Sequence, residues 1–147
     1  MFEKILVAVD GSEHAAKAVD TAIEIARKFD ATLVFLSVYK HYSRLESTHS
    51  LVRNREVPET PDETLGALAK ETAERAANYA KDHGVARVKA ISKRGPVART
   101  IVDFGKENKI DTIVMGRRGL GDFGGLLLGS VSHKVCSLAE CTCITVK

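Results

Sequence analysis

The sequence predicts an α/β fold in which five parallel strands and four helices form one doubly wound sheet. Short apolar runs alternate along the chain with longer segments whose apolar residues recur every three or four positions. Because strands that alternate with helices pair in parallel through right-handed crossovers, the helices are expected to cover both faces of the sheet. No repeat or linker divides the chain, so residues 1–147 are predicted to form one domain.

Five apolar runs define the predicted strands. Each is short and bounded by turn residues, as is typical of strands buried on both faces. The first, KILVAV, ends at the turn dipeptide Asp10-Gly11. The predicted strands are Lys4–Val9, Thr32–Val38, Arg87–Ser92, Ile110–Met115 and Thr142–Val146.

Cap residues mark the helix starts. Ser12 is placed to cap the first helix. Thr60, Pro61 and Glu63 begin the second as a capping box with proline in its first turn. A Gly-Pro pair begins the third helix, and the fourth begins at Ser130. The polar stretch 39–58 has no clear periodicity and is expected to be a mobile excursion.

Apolar spacing also predicts which side of each long helix faces inward. For the first helix these residues are Ala15, Ala18, Val19, Ala22, Ile25, Ala26 and Phe29. For the second helix they are Leu65, Leu68, Ala69, Thr72, Ala76 and Tyr79.

Composition excludes several classes of protein. The net charge of +3 is small and aromatic residues make up only 5%, so neither a nucleic-acid groove nor a base-stacking surface is predicted. No apolar stretch approaches the ~20 residues of a membrane span. Charges at Glu3, Lys4 and Asp10 interrupt the first apolar run, which is unlike a signal peptide. A cytoplasmic location without membrane or nucleic-acid partners is expected.

The three cysteines do not predict a disulfide framework, since their number is odd and no export signal accompanies them. His133, Cys136, Cys141 and Cys143 could be combined on paper into a zinc site. The two-residue spacers usual between paired zinc cysteines are absent. The thiols are therefore interpreted as small side chains packed in a strand and a helix, and no metal ligands are predicted.

A glycine-rich segment, GRRGLGDFGGLLLGS, runs from Gly116 to Ser130 and holds six of the 11 glycines. Glycine lets backbone N–H groups approach an anion closely. A helix that starts at Ser130 would add its unpaired amides and the positive end of its dipole. The spacing Gly116-x-x-Gly119, nine residues, Gly129-Ser130 after a strand therefore predicts a phosphate cradle.

A Rossmann-like strand order of 3-2-1-4-5 would place this cradle where such sheets bind ligands. Strands one and four are neighbours in that order, at the point where the winding direction reverses. The turn at Asp10 would then face the loop that begins at Gly116. The sequence Gly119-x-Gly121-x-x-Gly124 is not a dinucleotide fingerprint, which belongs in the first strand-to-helix turn, and no Walker A motif occurs.

These residues resemble the universal stress protein family, specifically its ATP-binding branch. The resemblance covers nearly the whole chain, including ILVAVDGSEHAAKAVDTAIEIA near the start and TIVMGRRGLGDFGGLLLGSVSHKV near the end. It departs from the family pattern at Thr142, where a proline usually follows the cysteine. The resemblance implies a nucleotide-dependent regulator of the stress response that is at most a slow ATPase. It would bind ATP or AMP with Mg²⁺ or Mn²⁺.

The resemblance also implies site residues and a partner. The nucleotide-binding residues would be Asp10, Val38, Met115, Gly116, Arg117, Gly119, Gly129, Ser130 and Val131. From the residues alone, Asp10 could instead serve an Asx turn, Ser130 could be only a helix cap, and the glycines could serve only loop geometry. Family members commonly pair through the last strand, so a homodimer through Thr142–Val146 is expected.

The same residues allow two alternatives to a nucleotide-binding regulator, a hydrolase and an interaction scaffold. Ser130, His133 and Asp10 could be arranged as a hydrolytic triad, but the chain has no GxSxG nucleophile elbow, so no catalytic residue is predicted. Alternatively, the protein could be a nucleotide-free interaction scaffold of the same fold. The complete glycine motif argues against that alternative.

Overall fold

The computed structural model describes residues 1–41, 61–119 and 128–147. Within them, five strands and four helices alternate as the sequence predicts. The strands are β1 (Lys4–Ala8), β2 (Thr32–Tyr39), β3 (Val88–Arg94), β4 (Thr112–Gly116) and β5 (Thr142–Val146). The helices are α1 (Glu13–Phe29), α2 (Pro61–Asp82), α3 (Val97–Glu107) and α4 (Ser130–Leu138).

The strands form one parallel sheet in the order β3-β2-β1-β4-β5, which confirms the predicted order. β1 lies at the centre, where Ala8 is in register with Leu36 of β2 and Met115 of β4. The carboxyl ends of β1 and β4 are therefore adjacent, and the winding direction reverses between them.

Two cores lie on opposite faces of the sheet. Successive β1 side chains alternate between them, as strand geometry requires. Ile5 and Val7 pack with α1 and α2 in one core, whereas Leu6 packs in the other with Ile101 and Phe104 of α3. Burial of β1 on both faces explains its uninterrupted apolar sequence.

The inward face predicted for α2 is correct at Ala69 but wrong at Leu68 and Tyr79. Its buried residues are alanines, while Leu68 and Tyr79 keep 55% and 43% of their surfaces exposed. Alanine at every fourth position lets α2 approach the sheet closely, and the larger side chains form a neighbouring stripe on the outer surface. The buried residues are Ala69, Ala73, Ala77 and Ala80.

The face predicted for α1 is correct except at its end. Ile23 is buried, whereas Ile25 only packs against the edge of the core. Phe29 is 50% exposed, and its ring lies 5.1 Å from that of Phe2, centroid to centroid. Ser12 caps α1 as predicted, since its hydroxyl accepts a hydrogen bond from the Ala15 N–H at 3.2 Å.

Three sequence expectations fall wholly or partly outside the described residues. They are the cap at Thr60, the excursion at 39–58, of which only 39–41 are described, and the glycine-rich segment 116–130, of which 120–127 are not described. Among the helices that the structure describes, none combines the length and apolar character needed to cross a membrane.

Asp111 holds the start of the chain where β1 and β4 begin. Its carboxylate accepts hydrogen bonds from the N–H groups of Phe2, Glu3 and Lys4 at 3.0, 2.9 and 2.8 Å. It also accepts one from the Thr112 hydroxyl at 2.7 Å. Partial burial raises the pKa of Asp111, but hydrogen bonds from Lys4, Thr112, Glu3 and Phe2 together lower it below its ordinary 3.8.

Asp111→Asn is expected to lower the free energy of unfolding by about 2 kcal/mol at neutral pH, because three N–H groups, two of them partly buried, lose their charged acceptor. A folded-state pKa below the ordinary value means that the carboxylate stabilises the fold above pH 3.8. That stabilisation is lost as the pH falls through the folded-state pKa. Urea unfolding of both proteins at neutral pH and below pH 3.8 should show the difference shrinking with acid.

Asp103→Asn is the matched control. Asp103 is an exposed carboxylate on α3 that pairs with Arg99 at 3.3 Å. Such pairs contribute about 0.5 kcal/mol or less, so this variant should unfold almost like the parent. A difference for Asp111→Asn that stays constant with pH would contradict the role assigned to its carboxylate.

Candidate functional site

A cleft opens at the carboxyl ends of β1, β2 and β4, bordered by α3 and α4. It encloses about 80 Å³. Pockets that take up most of a small molecule measure roughly 300 Å³ or more. A ligand of nucleotide size would therefore place one end in this cleft and lie across the strand ends with the remainder.

The wall of the cleft is largely apolar. Met115 is buried at the end of β4, and Val38 is half-buried at the end of β2. The surrounding side chains come from the first turns of α3 and α4. A flat, weakly polar ring would lose little by leaving water here. The apolar lining residues are Leu36, Val38, Val97, Ile101, Met115 and Val131.

Asp10 follows β1 and folds the chain back toward α1. One of its carboxylate oxygens, Oδ1, accepts a hydrogen bond from the Ser12 N–H at 2.9 Å, which is an Asx turn. Gly11 between them has a φ of +81°, a conformation that favours glycine. The second oxygen, Oδ2, faces Gly119, where a Cβ atom would lie 2.7 Å from it. Asp10 therefore serves the turn and also lines the cleft.

Gly116 ends β4 directly against the first turn of α1. A Cβ atom at this position would lie 2.7 Å from the carbonyl carbon and Cβ of His14, and 2.9 Å from the Ala15 nitrogen. Only glycine permits that approach without moving the helix backbone. The contact brings the start of α1 and the end of β4 to the same side of the cleft.

The peptide groups of Arg117 connect the glycine-rich segment to its surroundings. The Arg117 N–H donates to the carbonyl oxygen of Val146 at 2.7 Å. The Arg117 carbonyl oxygen accepts hydrogen bonds from the Gly129 N–H at 2.8 Å and from the Ser132 hydroxyl at 2.7 Å. The two described ends of the segment are thereby held together, on either side of residues 120–127.

These contacts determine which N–H groups at the start of α4 remain without an acceptor in the helix. The Gly129 N–H is directed to Arg117, so Gly129 acts as the N-cap of α4. The Gly129 carbonyl accepts the first helical hydrogen bond, from the His133 N–H at 2.9 Å. The N–H groups of Ser130, Val131 and Ser132 have no acceptor within the helix. Together with the helix dipole they favour an anion beside the cleft.

The structure brings most of the predicted site residues together. Asp10, Val38, Met115, Gly116, Gly119 and Val131 all line the cleft. Ser130 is exposed at the start of α4, and Gly129 is buried behind it. Arg118 rather than Arg117 lines the cleft. The Arg117 Nε is buried and has no hydrogen-bond partner among the described residues.

Sequence reasoning missed three contributors. Ser132 is buried and holds the Arg117 carbonyl, a role that serine often has near a helix start. Val97 and Ile101 of α3 also line the cleft, and only the sheet topology shows that they reach it.

The described residues offer little for catalysis or metal binding at this site. They contain no cluster of three or more histidine, cysteine or carboxylate side chains arranged to hold a metal ion. His133 and Ser130 are both exposed on α4. Among the described contacts, no hydrogen bond joins these two side chains.

A model of the universal stress protein family matches residues 1–147, the whole chain. Among known relatives, universal stress protein YxiE of Bacillus subtilis is 37% identical over 151 aligned positions that cover all of both chains. A universal stress protein of Thermus aquaticus is 35% identical, also over all of both chains.

Solved structures share this fold. Universal stress protein UspA of Lactobacillus plantarum has a TM-score of 0.75 at 26% identity, over 99% of this chain and 98% of that chain. A universal stress protein of Archaeoglobus fulgidus in complex with dAMP scores 0.71 at 24% identity, over all of both chains. Another universal stress protein, in complex with cAMP, scores 0.72 at 24% identity, over 99% and 97%. At 24% identity, the similarity to these last two proteins shows a shared fold only.

Gly116→Ala is expected to lower the free energy of unfolding by about 2 kcal/mol or more, because the new methyl group overlaps the backbone of α1. Gly105→Ala is the control, since a Cβ there meets only ordinary contacts at 3.6 and 3.9 Å. Alanine in that helical position should leave stability unchanged or raise it by up to about 1 kcal/mol. Equal urea midpoints for the two variants would contradict the close approach at Gly116.

Proposed function

The chain belongs to the universal stress protein family, and we propose that it is an ATP-binding, nucleotide-dependent regulator of the stress response. The observation that carries this proposal is the first turn of α4. Its amides at Ser130, Val131 and Ser132 lack helical acceptors and stand beside an apolar cleft at the reversal point of the sheet. Residues 1–147 would act as one nucleotide-binding domain in the cytoplasm.

The proposed nucleotide lies with its base and ribose in the cleft. Val38 and Met115 would contact the adenine ring through their apolar side chains and neighbouring main-chain groups. Asp10, which lines the cleft, would accept hydrogen bonds from the ribose hydroxyls. Gly116 would hold the end of β4 against α1, and Gly119 would leave room for the Asp10 carboxylate beside the sugar.

The phosphates would lie at the start of α4. The N–H groups of Ser130 and Val131 and the Ser130 hydroxyl would bind phosphate oxygens. Gly129 would contribute by setting the direction of the helix, because its own N–H is bonded to Arg117. Arg118 in the cleft and Arg117 beside it supply positive charge.

Two structures of this fold contain adenine nucleotides, cAMP in one protein and dAMP in the other. Those ligands belong to those proteins, and they agree in chemical class with the proposal made for this chain. ATP and AMP both carry an adenine ring for the apolar cleft and phosphate for the anion site. We propose ATP as the ligand ahead of AMP.

The proposed role is regulatory because the site offers the phosphates main-chain amides at the start of α4, without a recognisable hydrolase motif. Mg²⁺ or Mn²⁺ would accompany the triphosphate to neutralise its charge. Since the described part of the chain holds no cluster of metal-ligating side chains, phosphate oxygens and water would complete most of the coordination shell. Hydrolysis, if it occurs, would be slow.

The two edges of the sheet differ in a way that supports the proposed homodimer. The β3 edge carries Lys89, Lys93 and Arg94, which discourage strand pairing. The β5 edge, Thr142–Val146, contains no charged residue. We therefore propose that two copies pair through β5.

Ser130→Pro tests the phosphate site by removing one amide donor. Proline fits the first position of a helix, and Gly129 already has the extended conformation (φ −61°, ψ 162°) that a following proline requires. The loss of a hydrogen bond to a charged phosphate should weaken binding of Mg-ATP by about tenfold or more, measured by calorimetry. Ser130→Ala keeps the amide and separates its contribution from that of the hydroxyl.

The outcomes distinguish the alternatives. Unchanged affinity in Ser130→Pro would contradict the placement of the phosphates at α4. A wild-type protein that gives no heat with Mg-ATP or AMP, and releases no nucleotide when denatured, would favour the interaction scaffold.

Thr145→Pro tests the dimer edge. Even-numbered residues of β5 bond to β4, as the Thr142 N–H to Asp111 and the Val146 carbonyl to Arg117 illustrate. In a parallel ladder the backbone groups of Thr145 therefore point to the open edge. Proline should abolish pairing without breaking a bond to β4, whereas Thr145→Val should remain dimeric in light scattering. A wild-type monomer at micromolar concentration, or a dimeric Thr145→Pro, would contradict pairing through β5.

A further inference from the structure

A second cavity lies between α1 and α2, on the face of the sheet opposite α3 and α4. It encloses about 390 Å³, which is within the range of pockets that hold small molecules. We propose that this helix cavity binds a small apolar amine, with the ammonium group at the Asp20 carboxylate and the apolar body between the two helices. The inference goes beyond the proposed nucleotide site and does not depend on it.

The helix cavity results from the two helix faces that meet across it. Each helix contributes residues spaced three and four positions apart, so one stripe of each helix lines the space. Both stripes carry alanine, and the turn before α1 carries glycine. These small residues leave a gap that larger side chains would fill. The lining residues without a polar side chain are Val9, Gly11, Ala15, Ala16, Val19 and Ala76.

Burial separates an apolar floor from a polar rim. Val9, Ala15 and Val19 are buried and form the floor. The exposed lining residues, which form the rim, include Asp20 on α1 and Tyr79 on α2. A ring or branched hydrocarbon placed between the helices would remove both its own surface and that of the floor from water. The floor therefore favours a ligand with an apolar body.

The charges at the rim favour a cationic ligand. Asp20 accepts a hydrogen bond from the Tyr79 hydroxyl at 3.0 Å. None of the ion pairs among the described residues includes Asp20. Arg75, the cation that lines the cavity, is paired with Glu71 at 2.6 Å. The Asp20 carboxylate therefore has a neutral partner, and a charged donor on the ligand would form a stronger hydrogen bond with it.

The neighbouring polar groups also match a hydrogen-bond donor. The Thr72 hydroxyl donates to the Leu68 carbonyl oxygen at 2.9 Å, so its lone pairs remain to accept. The Tyr79 ring lines the cavity, and the face of an aromatic ring attracts cations. The hydrogen bond to Asp20, followed by the charge of Asp20, raises the pKa of Tyr79, so its hydroxyl stays protonated at neutral pH. An ammonium group, with three donors and no acceptor, suits this set.

The turn after β1 separates the helix cavity from the cleft. Val9, Ser12 and Ala15 line both spaces. Gly119 and Val131 line only the cleft, whereas Ala16 and Ala76 line only the helix cavity. The amide signals of these two sets therefore distinguish an amine bound between the helices from one bound in the cleft.

Phenethylamine is the probe that tests the site, because it joins an aromatic ring to an amine that is protonated at neutral pH, like that of lysine. Hydrocinnamate, of similar shape, carries a negative charge instead. The full chain is titrated with each compound to roughly 10 mM and followed by amide NMR, since ligands of so few atoms bind weakly. We expect phenethylamine to shift the signals of Ala16, Asp20 and Ala76 more than those of Gly119 and Val131. Hydrocinnamate should bind at least about tenfold more weakly.

Variants test the two parts of the site separately. Asp20→Asn should weaken phenethylamine binding by about tenfold, because the ammonium group loses its charged acceptor. Asp103→Asn makes the same change of charge on α3 and should bind like the parent. Ala16→Leu places a larger side chain in the cavity at an exposed helix position and should abolish binding. Ala67→Leu is its control, since Ala67 is exposed on α2 and does not line the cavity.

Several results would overturn the proposal. They are the absence of any shift with phenethylamine at the highest concentration, shifts confined to the cleft residues, and equal binding of hydrocinnamate. Unchanged affinity in Asp20→Asn or in Ala16→Leu would also overturn it. Each of these results is obtained without nucleotide, so none depends on whether the chain binds ATP.

Discussion

The backbone of Arg117 joins three elements that are far apart in sequence. Its N–H holds the Val146 carbonyl on the edge strand, and its carbonyl holds both the N-cap and the third residue of α4. Because Gly129 and Ser132 share this acceptor, the orientation of α4 is fixed from its first turn. The amides of Ser130 and Val131 are then presented beside the cleft in a fixed geometry, without any side chain having to supply it.

Close approach at Gly116 determines where this arrangement stands relative to β1. The contact with His14 and Ala15 draws the end of β4 against α1, whose N-cap is Ser12 in the turn that follows Asp10. The strand order makes β1 and β4 neighbours. Gly116 then allows the end of β4 to contact the helix that follows β1. The cleft therefore results from topology and from two glycines: at Gly116 a methyl group would overlap the α1 backbone, and at Gly119 it would displace the Asp10 carboxylate.

The sequence predicted the sheet order, the elements and the cap at Ser12, because apolar periodicity and turn chemistry are local signals. It failed for the face of α2, where Leu68 and Tyr79 suggested an inward stripe and alanines are buried instead. Close packing of a helix against a sheet favours small residues. Apolar periodicity alone does not distinguish small side chains from large ones. The use of the Gly129 amide by Arg117, and the role of Ser132, depend on contacts between segments and had no local signal.

Helix α4 is only nine residues long, so both of its ends act on the same strand. Its first turn reaches β5 through the Arg117 peptide and Val146, and residues 139–141 join its last turn directly to β5. The amides beside the cleft and the peptide that holds Val146 are connected through the first turn of α4. The cleft and the edge strand therefore share one hydrogen-bonded support.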